Sequence, residues 1–337
     1  MKAVGYKKPL PISDPESLLD IEVPEPQAMG HDLLVEVKAI SVNPVDAKVR
    51  AATKPEDGTY KILGWDAAGV VKAVGSEASI FKPGHEVFYA GSIARQGTDA
   101  ELHVVDERIV GKKPRSLGFH EAAALPLTTI TAWELLFDRL SVPPEPSLEG
   151  GTLLIVGAAG GVGSILTQLA RKLTRVTVIA TASSPESRQW CLDMGAHHVI
   201  DHFQPLAPQL RDINFPLVEY IASLTATAIH YPELVEVIAP QGKLGVIDDP
   251  KILDATLLKR KCASLHWEFM FARSLFGTPD MIEQHRLLNR VAELVDAGVI
   301  RTTITVVAGQ INAANLKKVH ALIESGRARG KLVLEGF

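Results

Sequence analysis

The stretch Leu154-Ile155-Val156-Gly157-Ala158-Ala159-Gly160-Gly161-Val162-Gly163 constrains the fold more than any other part of the chain. An apolar run enters a cluster of glycines, and a helix-forming segment, Gly161 to Leu173, leaves it. A buried strand therefore has to reverse tightly into a helix. Gly160 and Gly161 let a backbone approach a pyrophosphate, and Gly163 lets helix and strand pack closely. N–H groups at the helix start, helped by its dipole, suit a bound anion. The G-x-G-x-x-G pattern is broken, because Ala158 holds its first position. Taken alone, the turn fits a dinucleotide cradle built from Ala159, Gly160, Gly161, Val162 and Gly163. It also fits a generic strand-to-helix turn.

The same alternation continues beyond the turn. Strands are predicted over Val176–Ala182, His198–Asp201, Val218–Leu224 and Lys243–Ile247, with a helix over Pro185–Met194 and helical stretches between the rest. Strands alternating with helices imply a parallel sheet covered on both faces. The strand ending at Ala182 leads into Ser183, Ser184 and, further on, Arg188, with no acid at its end. An acid there would bond the ribose 2′-OH of NAD. Hydroxyls and a guanidinium suit a 2′-phosphate instead. Ser183, Ser184 and Arg188 thus predict NADP(H) over NAD(H), with a solvated helix face as the plainer reading of Arg188.

The N-terminal part has a different character. Leu34–Ile40 alternates apolar and polar residues, and Ala67–Gly75, His85–Ala90 and Leu102–Val105 read as further strands. Proline, glycine and aspartate separate them at short intervals, which suggests a small barrel or sandwich. Ala122–Phe137 reads mostly helical, and the run from Val142 through Pro143, Pro144 and Pro146 cannot continue a helix. Two helices close the chain. Thr278-Pro279 looks like the cap and first turn of one, Gly298 and Gly326 end the pair, and a strand covers residues 330–334.

At roughly 100–200 residues per domain, 337 residues suggest two domains. A net charge of −4 argues against nucleic acid as a partner. Two cysteines, Cys191 and Cys262, form neither a disulfide framework nor a metal-ligand pair. The N-terminus lacks the apolar core of a secretory signal, and no apolar run approaches the ~18–20 residues of a membrane span. A cytoplasmic protein with no membrane contact is expected.

Several motifs resemble one superfamily, the medium-chain dehydrogenase/reductases. Asn43-Pro44-Val45-Asp46, Gly64-Trp65-Asp66-Ala67-Ala68-Gly69-Val70-Val71, Pro126-Leu127-Thr128 and the glycine turn are similar to its quinone oxidoreductase branch. His266-Trp267-Glu268-Phe269-Met270-Phe271-Ala272-Arg273 resembles bacterial zinc-type alcohol dehydrogenase-like proteins. The resemblance implies an α/β fold, with a Rossmann doubly wound parallel sheet over 128–272. A GroES-like β-barrel domain over 1–127 and 273–337 would complete it. It also implies a homodimer in which an edge strand pairs between subunits.

The resemblance also implies site residues. Zinc-dependent relatives carry Cys at Asn43, His-Glu at Trp65-Asp66 and a four-cysteine lobe. Neither cysteine here precedes position 191, so no bound zinc is expected. The Asn43 loop would meet the nicotinamide, with Asn43 orienting it or the substrate and Lys48 stabilising a developing oxyanion or donating a proton. Asp46 would anchor that loop or the cofactor ribose. Thr128 would approach the nicotinamide or cap a helix. His202 would pack beside the adenosine phosphate, and Lys331 would touch the cofactor or merely punctuate a strand. His197, His198 and His202 straddle a strand exit, so their H-x-x-x-H spacing gives no shared metal-binding face. His266 and Glu268, two apart in a predicted strand, would face one side.

The function this implies is zinc-independent, NADPH-dependent reduction of quinones or α,β-unsaturated carbonyls. A zinc-type alcohol dehydrogenase and a non-catalytic NADP(H)-binding sensor or structural protein are the alternatives.

Overall fold

The computed structural model describes residues 1–145 and 150–337, so Pro146 of the proline run lies outside the described residues. Two compact units emerge, one of Met1–Ile130 with Phe271–Phe337, the other of Thr131–Met270.

The second unit is built on a parallel sheet. Its strands are β9 (Thr152–Val156), β10 (Thr177–Thr181), β11 (His198–Ile200), β12 (Val218–Ser223), β13 (Ile238–Val246) and β14 (Ser264–Trp267); β1 to β8 belong to the other unit. They lie in the order β11-β10-β9-β12-β13-β14. Leu153 to Val156 are all buried, as a strand covered on both faces requires. Helices α4 (Gly161–Leu173), α5 (Pro185–Asp193), α6 (Leu206–Asp212) and α7 (Thr227–Val237) make the crossovers. The chain winds from β9 one way to β10 and β11, then returns to β12 on the other side of β9. That reversal is the topological switch point, where ligands bind in open α/β sheets. Ser184 caps α5 and Pro185 opens it, a pairing that suits a helix start.

The first unit contains β1 (Lys2–Tyr6), β2 (Leu19–Glu22), β3 (Asp32–Val42), β4 (Lys61–Ile62), β5 (Asp66–Val74), β6 (Glu86–Tyr89), β7 (Leu102–Asp106) and β8 (Val110–Lys112). After the parallel unit the chain returns with β15 (Ile304–Val307) and β16 (Lys331–Glu335). A sheet in the order β15-β16-β3-β5-β6-β8, with β7 also on β3, stands beside the smaller β2-β1-β4 sheet. Alternate residues Leu33, Val35, Val37 and Ala39 of β3 are buried, so the period read from the sequence is the period that folds. β16 pairs antiparallel to β3 with Leu332 opposite Val42. Helices α1 (Pro44–Ala52) and α2 (Phe119–Ala123) precede the parallel unit, α3 (Pro126–Trp133) runs on into its first residues, and α8 (Ala272–Phe276), α9 (Glu283–Asp296) and α10 (Ala313–Glu324) come after it.

The structure departs from the sequence reading in several places. The Asn43–Lys48 segment is not a loop but the cap and start of α1, with Pro44 in its first position. The segment Ala122–Phe137 is broken before Pro126, because a residue preceding proline disfavours the helical region. Beyond α3, Glu134–Arg139 is a π-helix in which Leu140 N–H donates to Leu135 O. Thr278-Pro279 does not open α9. Met281 N–H donates to Thr278 O, making a turn with proline at its second position, where proline's fixed φ fits. Strands β1 and β15 show no clear period in the sequence, and β2, Leu-Asp-Ile-Glu, alternates over only four residues.

Candidate active site

Helix α4 begins on Gly160, in an extended conformation, with no side-chain cap and no acid in its first turn. Ser164 N–H closes the first helical bond, to Gly160 O. The N–H groups of Gly161, Val162 and Gly163 therefore have no acceptor within the helix. A Cβ on Gly160 would meet only Gly157 O, at 3.4 Å, so its outer side is open to a ligand. A Cβ on Gly163 would lie 2.5 Å from Ala158 Cα and 2.6 Å from Gly157 O. Gly157, at φ 82°, abuts the chain after β12, since its Cβ would meet Thr225 Cγ2 at 2.8 Å. The turn thus sits at the switch point with donors aimed outward, and these residues fit a dinucleotide pyrophosphate. Ala159 lies inside this turn.

Beyond β10, Ser183 is exposed. The Ser184 hydroxyl accepts the Ser187 N–H at 3.1 Å and so serves α5. The Arg188 guanidinium donates to Val199 O at 2.7 Å and Ala182 O at 3.3 Å, which tethers it to the ends of β10 and β11. Two bonds leave part of its five-donor fork for another acceptor. His202 packs its ring 4.4 Å from Phe203 and 5.9 Å from His230, and its buried Nδ1 has no hydrogen-bond partner among the described residues. Burial and neighbouring His230 hold it below the ordinary histidine range.

In the other unit, the structure gathers Asn43, Asp46, Asp66 and Lys331 into one buried network. All four are at most 2% exposed. Asn43 precedes α1, and its N–H donates to Asp46 Oδ2 at 2.7 Å. Asp46 Oδ1 accepts the Gly64 N–H at 2.9 Å. Asn43 Nδ2 donates to Asp66 Oδ2 at 2.8 Å, and its Oδ1 accepts from Lys331 Nζ. Lys331 Nζ also donates to Asp66 Oδ2 at 3.0 Å and Val42 O at 3.3 Å. Asp66 Oδ1 accepts the Leu127 N–H at 2.7 Å, which ties α3 to the network. Burial pushes Asp46 up to about 7, opposed by the Asn43 N–H and the Lys331 charge. Neighbouring Asp99, buried with Asp46 beside it, is held well above the carboxylate range.

Several expected roles change accordingly. The Asn43 amide is engaged at both ends inside the protein, its Nδ2 on Asp66 Oδ2 and Ser41 O and its Oδ1 on Lys331 Nζ. The Asp46 carboxylate is occupied by the Asn43 and Gly64 N–H groups. Lys331 is a cluster member bonded to protein oxygens, not a residue that only punctuates a strand. Thr128, third in α3, is buried and its hydroxyl donates to Leu125 O at 3.2 Å, whereas a cap would accept a backbone N–H. Lys48 lies on the exposed side of α1. The signal for α1 was present in Asn43-Pro44-Val45-Asp46, since an N-cap residue, Pro at the first position and an acid at the third mark a helix start.

Other expectations resolve locally. His197 Nδ1 accepts the Val178 N–H at 2.9 Å, and the His198 ring lies 5.4 Å from Phe215. His266 and Glu268 do not act together. His266 bonds Ser264 Oγ at 2.8 Å, whereas Glu268, beyond the end of β14, accepts from Arg139 Nε at 2.8 Å.

The residues present do not fit a catalytic zinc. Among the described residues no group of three or more His, Cys, Asp or Glu could hold a metal. Cys191 is buried, its thiol pushed up to about 12 by desolvation, and Cys262 is exposed in the left-handed region. Between Asn43 and Asp66 lies an ammonium, which repels a metal ion.

A six-stranded parallel sheet with a glycine turn at its switch point is the architecture of a dinucleotide-binding unit. Residues 29–127 match the alcohol dehydrogenase GroES-like domain and residues 194–334 the zinc-binding dehydrogenase family. The zinc-type alcohol dehydrogenase-like protein SAS2087 of Staphylococcus aureus (strain MSSA476) is 39% identical over 99% of each chain. A solved Rhizobium etli CFN 42 protein, provisionally named a zinc-dependent alcohol dehydrogenase, is 58% identical. It superposes with a TM-score of 0.95 over 100% of this chain and 98% of that one. Escherichia coli quinone oxidoreductase complexed with NADPH shares the fold, at 23% identity and a TM-score of 0.84 over 99% of this chain and 100% of that one. The chain belongs to the medium-chain dehydrogenase/reductase superfamily, among the zinc-type alcohol dehydrogenase-like proteins. No helix among the described residues is long and apolar enough to cross a membrane.

Proposed function

We propose that this oxidoreductase is a zinc-independent, NADPH-dependent reductase of quinones or α,β-unsaturated carbonyls. The observation that carries the reading is the Lys331 ammonium between Asn43 and Asp66, a fixed cation where a metal would need open ligands. Ser183 and Arg188 beyond β10, with no carboxylate at the strand end, favour a 2′-phosphate. The Gly160–Gly163 turn would hold the pyrophosphate of the cofactor, whose nicotinamide would supply the hydride. Lys48, on the exposed side of α1, is the group assigned to stabilise the substrate oxygen or return a proton to it. A site without a Lewis acid polarises an isolated carbonyl poorly. A conjugated acceptor spreads its developing charge and needs less help. A homodimer pairing through edge strand β14, in the cytoplasm, belongs to the same reading.

NADPH oxidation across quinones, enones and saturated aldehydes tests this. Conjugated acceptors should lead in kcat/KM, and a chelator should leave the rates unchanged. Ethanol oxidation with stoichiometric zinc and chelator sensitivity would overturn the proposal. For the cofactor, Arg188→Ala combined with Ser183→Asp removes a cation and adds a repelling carboxylate. The NADPH/NADH preference should fall by at least about tenfold, roughly 1.4 kcal/mol. Wild-type protein that binds NADH as tightly as NADPH rules the assignment out.

A further inference from the structure

We propose that Lys331 is a positioning residue: its ammonium is the internal cation that holds the Asn43 loop, the start of β5 and the start of α3 in one geometry. An ammonium has three N–H donors. Here three oxygens take them, Asn43 Oδ1, Asp66 Oδ2 and Val42 O. The Asp66 carboxylate then serves two further donors, Asn43 Nδ2 and the Leu127 N–H. One lysine on β16 thereby connects three segments far apart in sequence, with separations of 288 residues to Asn43 and 265 to Asp66.

Charge explains why a cation is needed there. Asp66 is fully buried and Asp46 nearly so, and a buried carboxylate without a partner is costly. A neutral side chain at 331 leaves Asp66 without its counter-ion, so it either takes up a proton or draws in water. Both outcomes loosen the bonds to Asn43 and Leu127. The acceptors of Lys331 Nζ named above are all protein oxygens, so the ammonium acts through Asn43 and Asp66. It needs no contact with cofactor or substrate.

The inference rests on the proposed reductase activity for its kinetic readout and on stability for its independent one. Lys331→Ala removes the equivalent of n-propylammonium, which can be added back. With the wild type turning over enones, the variant should lose at least about tenfold in kcat. Its affinity for NADPH, followed by cofactor fluorescence, should change less than about twofold. Its melting temperature should drop, and n-propylammonium should raise both kcat and melting temperature where n-propanol does not. Weakened NADPH binding with unchanged kcat would overturn the inference and make Lys331 a cofactor group. A fall in melting temperature that n-propylammonium fails to reverse would also overturn it.

If Lys331→Ala does not fold, Lys331→Met with Asp66→Asn removes both charges together. Recovery of folding with kcat still low supports the role, and wild-type kcat in that double variant sinks it. A wild type inactive on enones and quinones defeats the proposed function alone. Ammonium-specific recovery of the melting temperature then still decides the place of Lys331.

Discussion

Gly163→Ala should cost the protein both stability and cofactor affinity, although it adds one methyl group. The new Cβ has nowhere to go. Its nearest neighbours are Ala158 Cα at 2.5 Å and the carbonyl oxygens of Ala158 and Gly157 at 2.6 Å, all main-chain atoms. No rotamer change relieves such a clash, so α4 must move away from the end of β9. Overpacking of this kind typically costs about 1–3 kcal/mol. The displaced N–H groups of Gly161, Val162 and Gly163 would also leave the pyrophosphate, weakening NADPH by at least about tenfold. Gly160→Ala is the control. Its backbone, at φ −72°, accepts any residue, and its Cβ meets only Gly157 O at 3.4 Å. That variant should melt like the wild type while binding NADPH less well, because its methyl group projects toward the ligand. Thermal unfolding and fluorescence titration of both variants check this. A Gly163→Ala protein with wild-type melting and affinity would falsify the account of the turn.

A second large effect is expected at the buried pair Glu134 and Glu268. Both are at most 4% exposed, one on the π-helix and one just beyond β14. Arg139 bonds Glu268 Oε2 at 2.8 Å and stands 3.9 Å from Glu134. Desolvation, then the charge of Glu134, push Glu268 up to about 9, against the pull of Arg139. The folded protein therefore holds a proton that the unfolded chain releases in the ordinary carboxylate range. This contribution to stability is full below that range and is lost as pH rises through about 9. Melting temperature should fall between neutral pH and pH 10, and Glu268→Gln should flatten that part of the profile. Arg139→Met removes the cation that faces Glu134 at 3.9 Å; Glu268 already holds a proton, so the about 3–5 kcal/mol of breaking a fully ionised buried pair is an upper bound. The Arg139 side chain is 33% exposed, so a smaller cost is expected. Equal alkaline slopes in wild type and Glu268→Gln would refute this picture.

Much of the parallel unit was legible because its signals are local. The bounds of α4, Gly161–Leu173, arise from glycines at one end and an apolar stripe along the helix. β9 shows as a continuous apolar run because both its faces are covered. α5 announces itself through Ser184 and Pro185. Edge strand β15 shows no period, and β2, although Leu-Asp-Ile-Glu alternates, has only four residues to show one. The π-helix also escaped notice, since its residues are ordinary helix formers and only packing sets the wider turn.

The sequence by itself determined the two-part architecture, the glycine turn, the missing acid after β10 and the absence of cysteine ligands before position 191. Each depends on residues that are neighbours along the chain or on a residue type that is simply not there. Only the tertiary structure decided what Asn43 and Lys331 do. Asn43 reads as an outward amide and Lys331 as a cofactor contact or a strand residue until β16 pairs with β3 and brings Leu332 opposite Val42. That register sets an ammonium beside Asn43 and Asp66 in a place water does not reach. There a carboxylate must find a cation, and the nearest one in space lies far away in sequence.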